Sequence, residues 1–273
     1  MFRMLAILLM AVSFIKAASA QGSGAPQKSA TKTSIPDLSA HKTSGSCDLG
    51  VVAAIGDEFQ VKQIGLGHLT SQPTYVPVTS WGLDDLAFER ARAAAGPRMS
   101  VQRIPYSKEA FPPPRETRNA LFRDSKAELV EMMRRVTQSV SCRRFLLISK
   151  WITPFNGSTQ SVQGAGIIDW NSLLNHRTYL YALGYIRVFD GSDFTIIKQG
   201  PAANERERLL NRSSLGEPIP GPSRELDNAA FPSNPANSER NPLFREVVRT
   251  MLQSSLDRAL PLALGPSASE ASR

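Results

Sequence analysis

The residues able to do chemistry in this sequence are few and scattered. Asp57, Asp84, Asp85 and Asp169 could support proton transfer or hydrolysis if the fold brought two or more of them together. The histidines are His41, His68 and His176. His41 falls in a polar N-terminal stretch, which leaves two for any triad or zinc site. No His-x-x-x-His, Cys-x-x-Cys, Gly-x-Ser-x-Gly or Walker pattern occurs, so no catalytic, metal or cofactor residues are named from motifs. Gly65-Leu66-Gly67 and Gly164-Ala165-Gly166 lack a third glycine and read as turns. Asp84-Asp85 could meet a cation, but acids in a first helical turn are ordinary partners of the helix dipole.

The best-supported pair is Cys47 with Cys142. Each stands immediately before an apolar run that reads as a buried strand. If those strands run parallel and close together, both sulfurs sit at the same sheet end. In an oxidising compartment the expected disulfide would stabilise the chain by roughly 3–5 kcal/mol in the chain-entropy account.

The segment Ala54-Ile55-Gly56-Asp57-Glu58-Phe59 resembles the Gly-Asp-Ser strand end of the SGNH esterases over two residues only. The family's nucleophile would stand where this chain has Glu58, and its C-terminal Asp-x-x-His motif is absent, since no histidine follows His176. A carboxylate cannot replace a serine that is acylated through a paired base. The preferred reading is a hairpin turn at Gly56-Asp57. Tyr179, Tyr181 and Tyr185 alternate with apolar residues along one strand face; such a stripe could stack a sugar or simply pack against a helix.

The formal net charge of +8 suggests an anionic partner. Two of those charges lie in residues 1–20, two in 21–46 and four in 115–144, and residues 201–273 are neutral. Within the basic segment, Arg134, Arg135, Arg143 and Arg144 are the candidate anionic contact. Glu131 is at ion-pair spacing from the first two, so a solvated helix face competes with that reading. Phe111 and Phe122 are the aromatic residues nearby, too few for a base-stacking surface, which argues against nucleic acid.

Residues 1–20 read as a signal peptide: Arg3, an apolar run from Leu5 to Ile15, and the small-residue box Ala18-Ser19-Ala20. The run is about half the ~20 residues that a membrane-spanning helix needs. Gln21 follows the box, so no lipid-anchored cysteine is expected there. The expected mature protein is periplasmic or secreted, without a transmembrane anchor after cleavage. Residues 21–46, poor in large apolar groups, are expected to form a flexible leader.

From residue 47 to 264 the pattern predicts a single α/β domain. Its elements are a hairpin over 49–64, a helix over 81–95 ended by Gly96-Pro97, a strand over 99–104 and a long helix from about 115 to 140. A strand over 145–148 and a weaker one at Ile167-Ile168 follow. Next comes the clearest feature, an uninterrupted extended run from Tyr179 to Phe189 joined through the Asp190-Gly191 turn to Phe194–Lys198. A long polar surface loop is expected over 200–242, with a helical turn at 205–211, then a C-terminal helix opened by Asn241-Pro242 and a disordered tail over 265–273. The expected architecture is one mixed sheet with antiparallel hairpins at its ends, packed by about three helices. The functional expectation is an exported binding or assembly module, non-enzymatic, contacting another protein or an anionic envelope polymer. The alternative is an extracytoplasmic hydrolase built on converging carboxylates.

Overall fold

The computed structural model describes residues 47–65, 72–107, 110, 125–156, 158, 160–172, 175–203 and 218–265. The expected signal peptide, the expected leader, the tail after residue 265, the expected helical turn at 205–211 and the first part of the basic segment lie outside the described residues, as do His41 and His68. The strands are β1 (Cys47–Ala54), β2 (Glu58–Gly65), β3 (Thr74–Pro77), β4 (Val101–Arg103), β5 (Cys142–Lys150), β6 (Ile152–Pro154), β7 (Ser161–Gln163), β8 (Ala165–Asn171), β9 (His176–Ala182), β10 (Gly184–Asp190), β11 (Ile196–Pro201) and β12 (Ser223–Leu226). The helices are α1 (Leu83–Ala95), α2 (Ser125–Thr137) and α3 (Pro242–Leu264).

The fold is mixed α/β with three described helices, but the expected single sheet is corrected to three. One sheet has the order β11-β10-β5-β1-β4, a second β12-β9-β8-β2-β3, and β6 pairs with β7. The difference arises where apolar runs cross between sheets instead of reversing. Gly56, at φ 94°, turns the chain out of β1, and β2 then pairs with β3 and β8 rather than with β1. The predicted 49–64 hairpin is therefore absent. Likewise the Tyr179–Phe189 run is two strands in different sheets, divided at the buried Leu183, whose N–H donates to Gly164 O and whose carbonyl accepts from Trp151 N. The β10–β11 hairpin through Asp190-Gly191 forms as expected. The strand β12, with buried Ile219 beside it, breaks up the expected long surface loop.

The two five-stranded sheets share one apolar layer. Leu49, Val51 and Ala53 of β1, Phe59 and Val61 of β2, and Leu180 of β9 pack with α1 and α3. Phe59 lies at the centre of an aromatic group, 5.1 Å from the Trp81 ring and 5.8 Å from the Phe244 ring. α2 covers the opposite face of the first sheet, where Met133 meets Phe145, Leu147 and Phe189. The outer face of the second sheet carries Tyr179, Tyr181 and Ile168, which pack with Phe155 and Val162 beside the β6–β7 pair. Helix boundaries follow local chemistry: Asn241 Oδ1 accepts from the N–H groups of Leu243 and Phe244, with Pro242 in the first turn. No described helix is long and apolar enough to cross a membrane.

Candidate functional site

The candidate anionic contact is built around the disulfide. β1 and β5 run parallel, with Cys47 directly opposite Cys142. Their Cα atoms are 4.4 Å apart and the sulfurs are bonded. The parallel pairing puts both strand starts at one end of the sheet, and the turn after β10 packs against that end. Gly191 N donates to Arg143 O at 2.9 Å, and any Cβ at Gly191 would collide with Cys142 O. Asp190 Oδ1 accepts from Ser192 N at 2.8 Å and Asp193 Oδ1 from Thr195 N at 2.7 Å, which stiffens the turn. The turn then presents Phe194 flat against Phe145, with ring centroids 5.4 Å apart.

Of the four candidate arginines, Arg134, Arg143 and Arg144 stand near this end, among acids. Arg134 lies 3.8 Å from Glu131, donates to Asp193 O and stands over the Phe194 ring. Arg135 is exposed and borders a cavity of about 590 Å³ with Tyr106, Met132 and Val136. Arg143 and Arg144 occupy successive positions of β5, so they leave the sheet on opposite faces. Arg143 lies on the α2 side, in phase with Phe145 and Leu147, and Arg144 lies opposite Asp190 in the β5–β10 register. The resulting surface is of mixed sign rather than a continuous basic face.

Two carboxylates of this surface are held ionised below the usual range. The Ser100 backbone N–H and then its hydroxyl lower the pKa of Asp48, with a smaller contribution from the Arg143 charge. The Ser192 hydroxyl and then its N–H lower that of Asp190, assisted by Arg144. A carboxylate with a depressed folded-state pKa stabilises the fold above its unfolded value, near 3.9, and loses that contribution as the pH falls through the folded value. Asp190→Asn is therefore expected to lower stability at neutral pH and to flatten its acid limb below about pH 4. Urea unfolding at pH 7 and pH 3 measures both; parallel acid limbs for the two proteins would refute the assignment.

The carboxylates of the hydrolase alternative fall into two separate places. Asp84 Oδ1 accepts from Gly56 N at 2.9 Å and Oδ2 from the Tyr106 hydroxyl at 2.6 Å. Asp85 is paired with Arg103 at 2.5 Å. Asp57 follows Gly56 at this same strand end. Asp169, by contrast, stands opposite Gln63 on β2. Six residues of extended chain separate Gln63 from Asp57, roughly 20 Å. Asp169 Oδ1 lies 2.7 Å from His176 Nε2 and accepts from Thr178 Oγ1 at 3.3 Å. This pair orients an imidazole, but the Thr178 hydroxyl is committed to the same carboxylate and Ser172 Oγ donates to Asn175 O. Neither hydroxyl is paired with the ring. Glu58, at the position of the esterase nucleophile, is ion-paired with Lys150 at 2.9 Å. Among the described residues, no group of three or more His, Cys, Asp or Glu is placed to hold a metal.

The tyrosine stripe is divided between the sheets. Tyr179 and Tyr181 are buried in the second sheet, while Tyr185 lies half-buried on β10. The Tyr181 hydroxyl donates to Gln60 Oε1 at 2.5 Å, inside a network in which Tyr75 Oη accepts from Gln60 and Gln163. Burial keeps the Tyr181 phenol protonated far above its ordinary range. Gly166 makes room for that hydroxyl, since a Cβ there would overlap it. Tyr179 and Tyr181 fill the interior and offer no stacking platform for a sugar. Tyr106, Lys150 and Arg103 complete local pairings that sequence reasoning missed, because an isolated residue partnered across the fold leaves no spacing signal.

No family model matches the chain, and no curated protein matches it. Among solved structures, the crystal structure of protein XCC0632 from Xanthomonas campestris, of the DUF330 family model, is similar at a TM-score of 0.34 and 8% identity. That similarity covers 84% of this chain and 90% of that chain.

Proposed function

We propose that the mature chain is an exported, extracytoplasmic binding or assembly module that contacts another protein or an anionic polymer, without catalysis. The observation that carries this reading is the Cys47–Cys142 bond, because a bridge closing a 95-residue separation persists in oxidising compartments and is reduced in the cytosol. The signal-peptide pattern of residues 1–20 points to the same compartment. The contact surface in this reading is the disulfide end, where Arg134 and Arg143 stand around the β5 start with Arg135 next to them on α2, and the acids beside them set register rather than bulk attraction.

The test is salt elution of the mature protein from an anionic matrix. Reversing Arg134, Arg135, Arg143 and Arg144 together to glutamate is expected to shift elution to lower salt by removing several counter-ion contacts. A far-ultraviolet melt of the same variant checks that it is folded. Unchanged elution of a folded variant would remove the disulfide end from the account.

A further inference from the structure

A half-buried charge without a carboxylate among the described residues is Arg187. On β10, Ile186 and Val188 point toward α1 and α3, so Tyr185, Arg187 and Phe189 share the face that α2 covers. Arg187 stands in register between Leu147 of β5 and Gln199 of β11 and is half-buried. Its guanidinium lies 4.2 Å from the Tyr185 ring centroid, and Nη1 is 3.3 Å from Ser149 Oγ. Nε is buried and has no hydrogen-bond partner among the described residues. Several other arginines have carboxylates, among them Arg90 with Asp257, Arg103 with Asp85 and Arg177 with Glu225, while the half-buried Arg249 is met by the carbonyls of Trp81 and Gly82. No described carboxylate is paired with Arg187.

A cation withdrawn from water without a counter-charge is costly, and an apolar side chain of similar length would serve the fold better at such a position. Burial accordingly lowers the Arg187 pKa, partly offset by Tyr185. The surroundings suit an incoming anion. Tyr185 gives a flat wall that holds the fork in one plane, and Ser149 and the exposed Gln199 add neutral polar groups at its rim. Ser149, Tyr185 and Arg187 are partly exposed and Gln199 is exposed, although the Arg187 Nε itself is shielded from solvent.

We propose that Arg187, Ser149 and Tyr185 form a binding site for a phosphate oxyanion, carried on a small molecule or on a polymer. The site is on the first sheet, distinct from the four arginines at the disulfide end. It therefore names a second anionic contact that sequence spacing did not reveal.

The experiment measures binding of inorganic phosphate and of linear polyphosphate to the mature protein by calorimetry, with sodium chloride matching the ionic strength. Thermal melts accompany each titration. Wild-type protein is expected to bind at least one of the two and to melt higher in its presence. Arg187→Met is expected to bind at least ten-fold more weakly, to lose the ligand-induced shift and, without ligand, to melt no lower than the wild type. Arg187→Lys, which keeps the charge and loses the fork, should also bind several-fold more weakly. Polyphosphate binding without phosphate binding would assign the site to a polymer, and comparable binding per phosphate group would assign it to the free ion. Absence of both from the wild type, equal affinity in Arg187→Met, or a lower melt of that variant would each overturn the proposal; the last would make the guanidinium a fold element. The four-arginine reversal leaves this site intact, so the two contacts succeed or fail separately.

Discussion

Replacing Cys47 with serine is expected to cost about 3–5 kcal/mol of folding stability. The magnitude follows from the length of the loop that the bond closes, since the cysteines are 95 residues apart and the cross-link removes that loop's freedom from the unfolded chain. The folded side of the balance changes little. Both cysteines are buried and stand opposite each other in a parallel pair that extends from Leu49↔Arg144 to Ala54↔Ser149. Cys142→Ser, the double variant and wild-type protein held in reductant should therefore all lose the same amount in guanidinium unfolding. A second measurement is thiol labelling of denatured, non-reduced protein, which should find no free thiol. Two labelled thiols in the wild type would refute the bond, and a loss below about 1 kcal/mol would refute its weight in the fold.

Phe59→Ala is expected to be about as damaging, at roughly 3–5 kcal/mol. Phe59 is fully buried at the start of β2, immediately after the chain has crossed from one sheet to the other. Its ring touches Trp81, which leads into α1, and Phe244, in the first turn of α3. Those elements are also joined by polar contacts: Trp81 Nε1 donates to Glu239 O at 2.8 Å, and Arg249 Nη1 donates to the carbonyls of Trp81 and Gly82. The alanine would leave a cavity where α1, α3 and β2 meet, with little freedom for that framework to close over it. Thermal unfolding should fall by on the order of 10 °C. Leu262→Ala, at a position 76% exposed, should change stability by less than about 0.5 kcal/mol. Similar losses in both variants would show that Phe59 is not central to the core.

The parts of the fold legible in the sequence are those decided within a few residues. Gly96-Pro97 closes α1 and Asn241-Pro242 opens α3, because caps and φ restrictions act locally. The Asp190-Gly191 turn makes the β10–β11 hairpin for the same reason. The disulfide was also legible, since a cysteine before each of two apolar runs predicts a bond once the strands are parallel, and they are. What was not legible is the partner of each strand. Val51-Val52-Ala53 and Tyr179-Leu180-Tyr181 are buried on both faces, so neither run has a polar side to mark where one sheet ends and the next begins. The hairpin expected from Gly56-Asp57 failed because a glycine at positive φ serves a crossing as readily as a reversal.

The same division holds for the candidate sites. The sequence by itself determined which residue types were available: two cysteines at matching strand starts, a local excess of arginine, scattered acids and no assembled motif. Tertiary structure alone decided their company. It sent Arg143 and Arg144 to opposite faces of β5, separated Asp169 from the acids near α1, buried the tyrosines of β9 and left Arg187 half-buried without a counter-charge. Pairing between strands distant in sequence depends on burial and register across the whole sheet, and those contacts leave no fixed spacing along the chain.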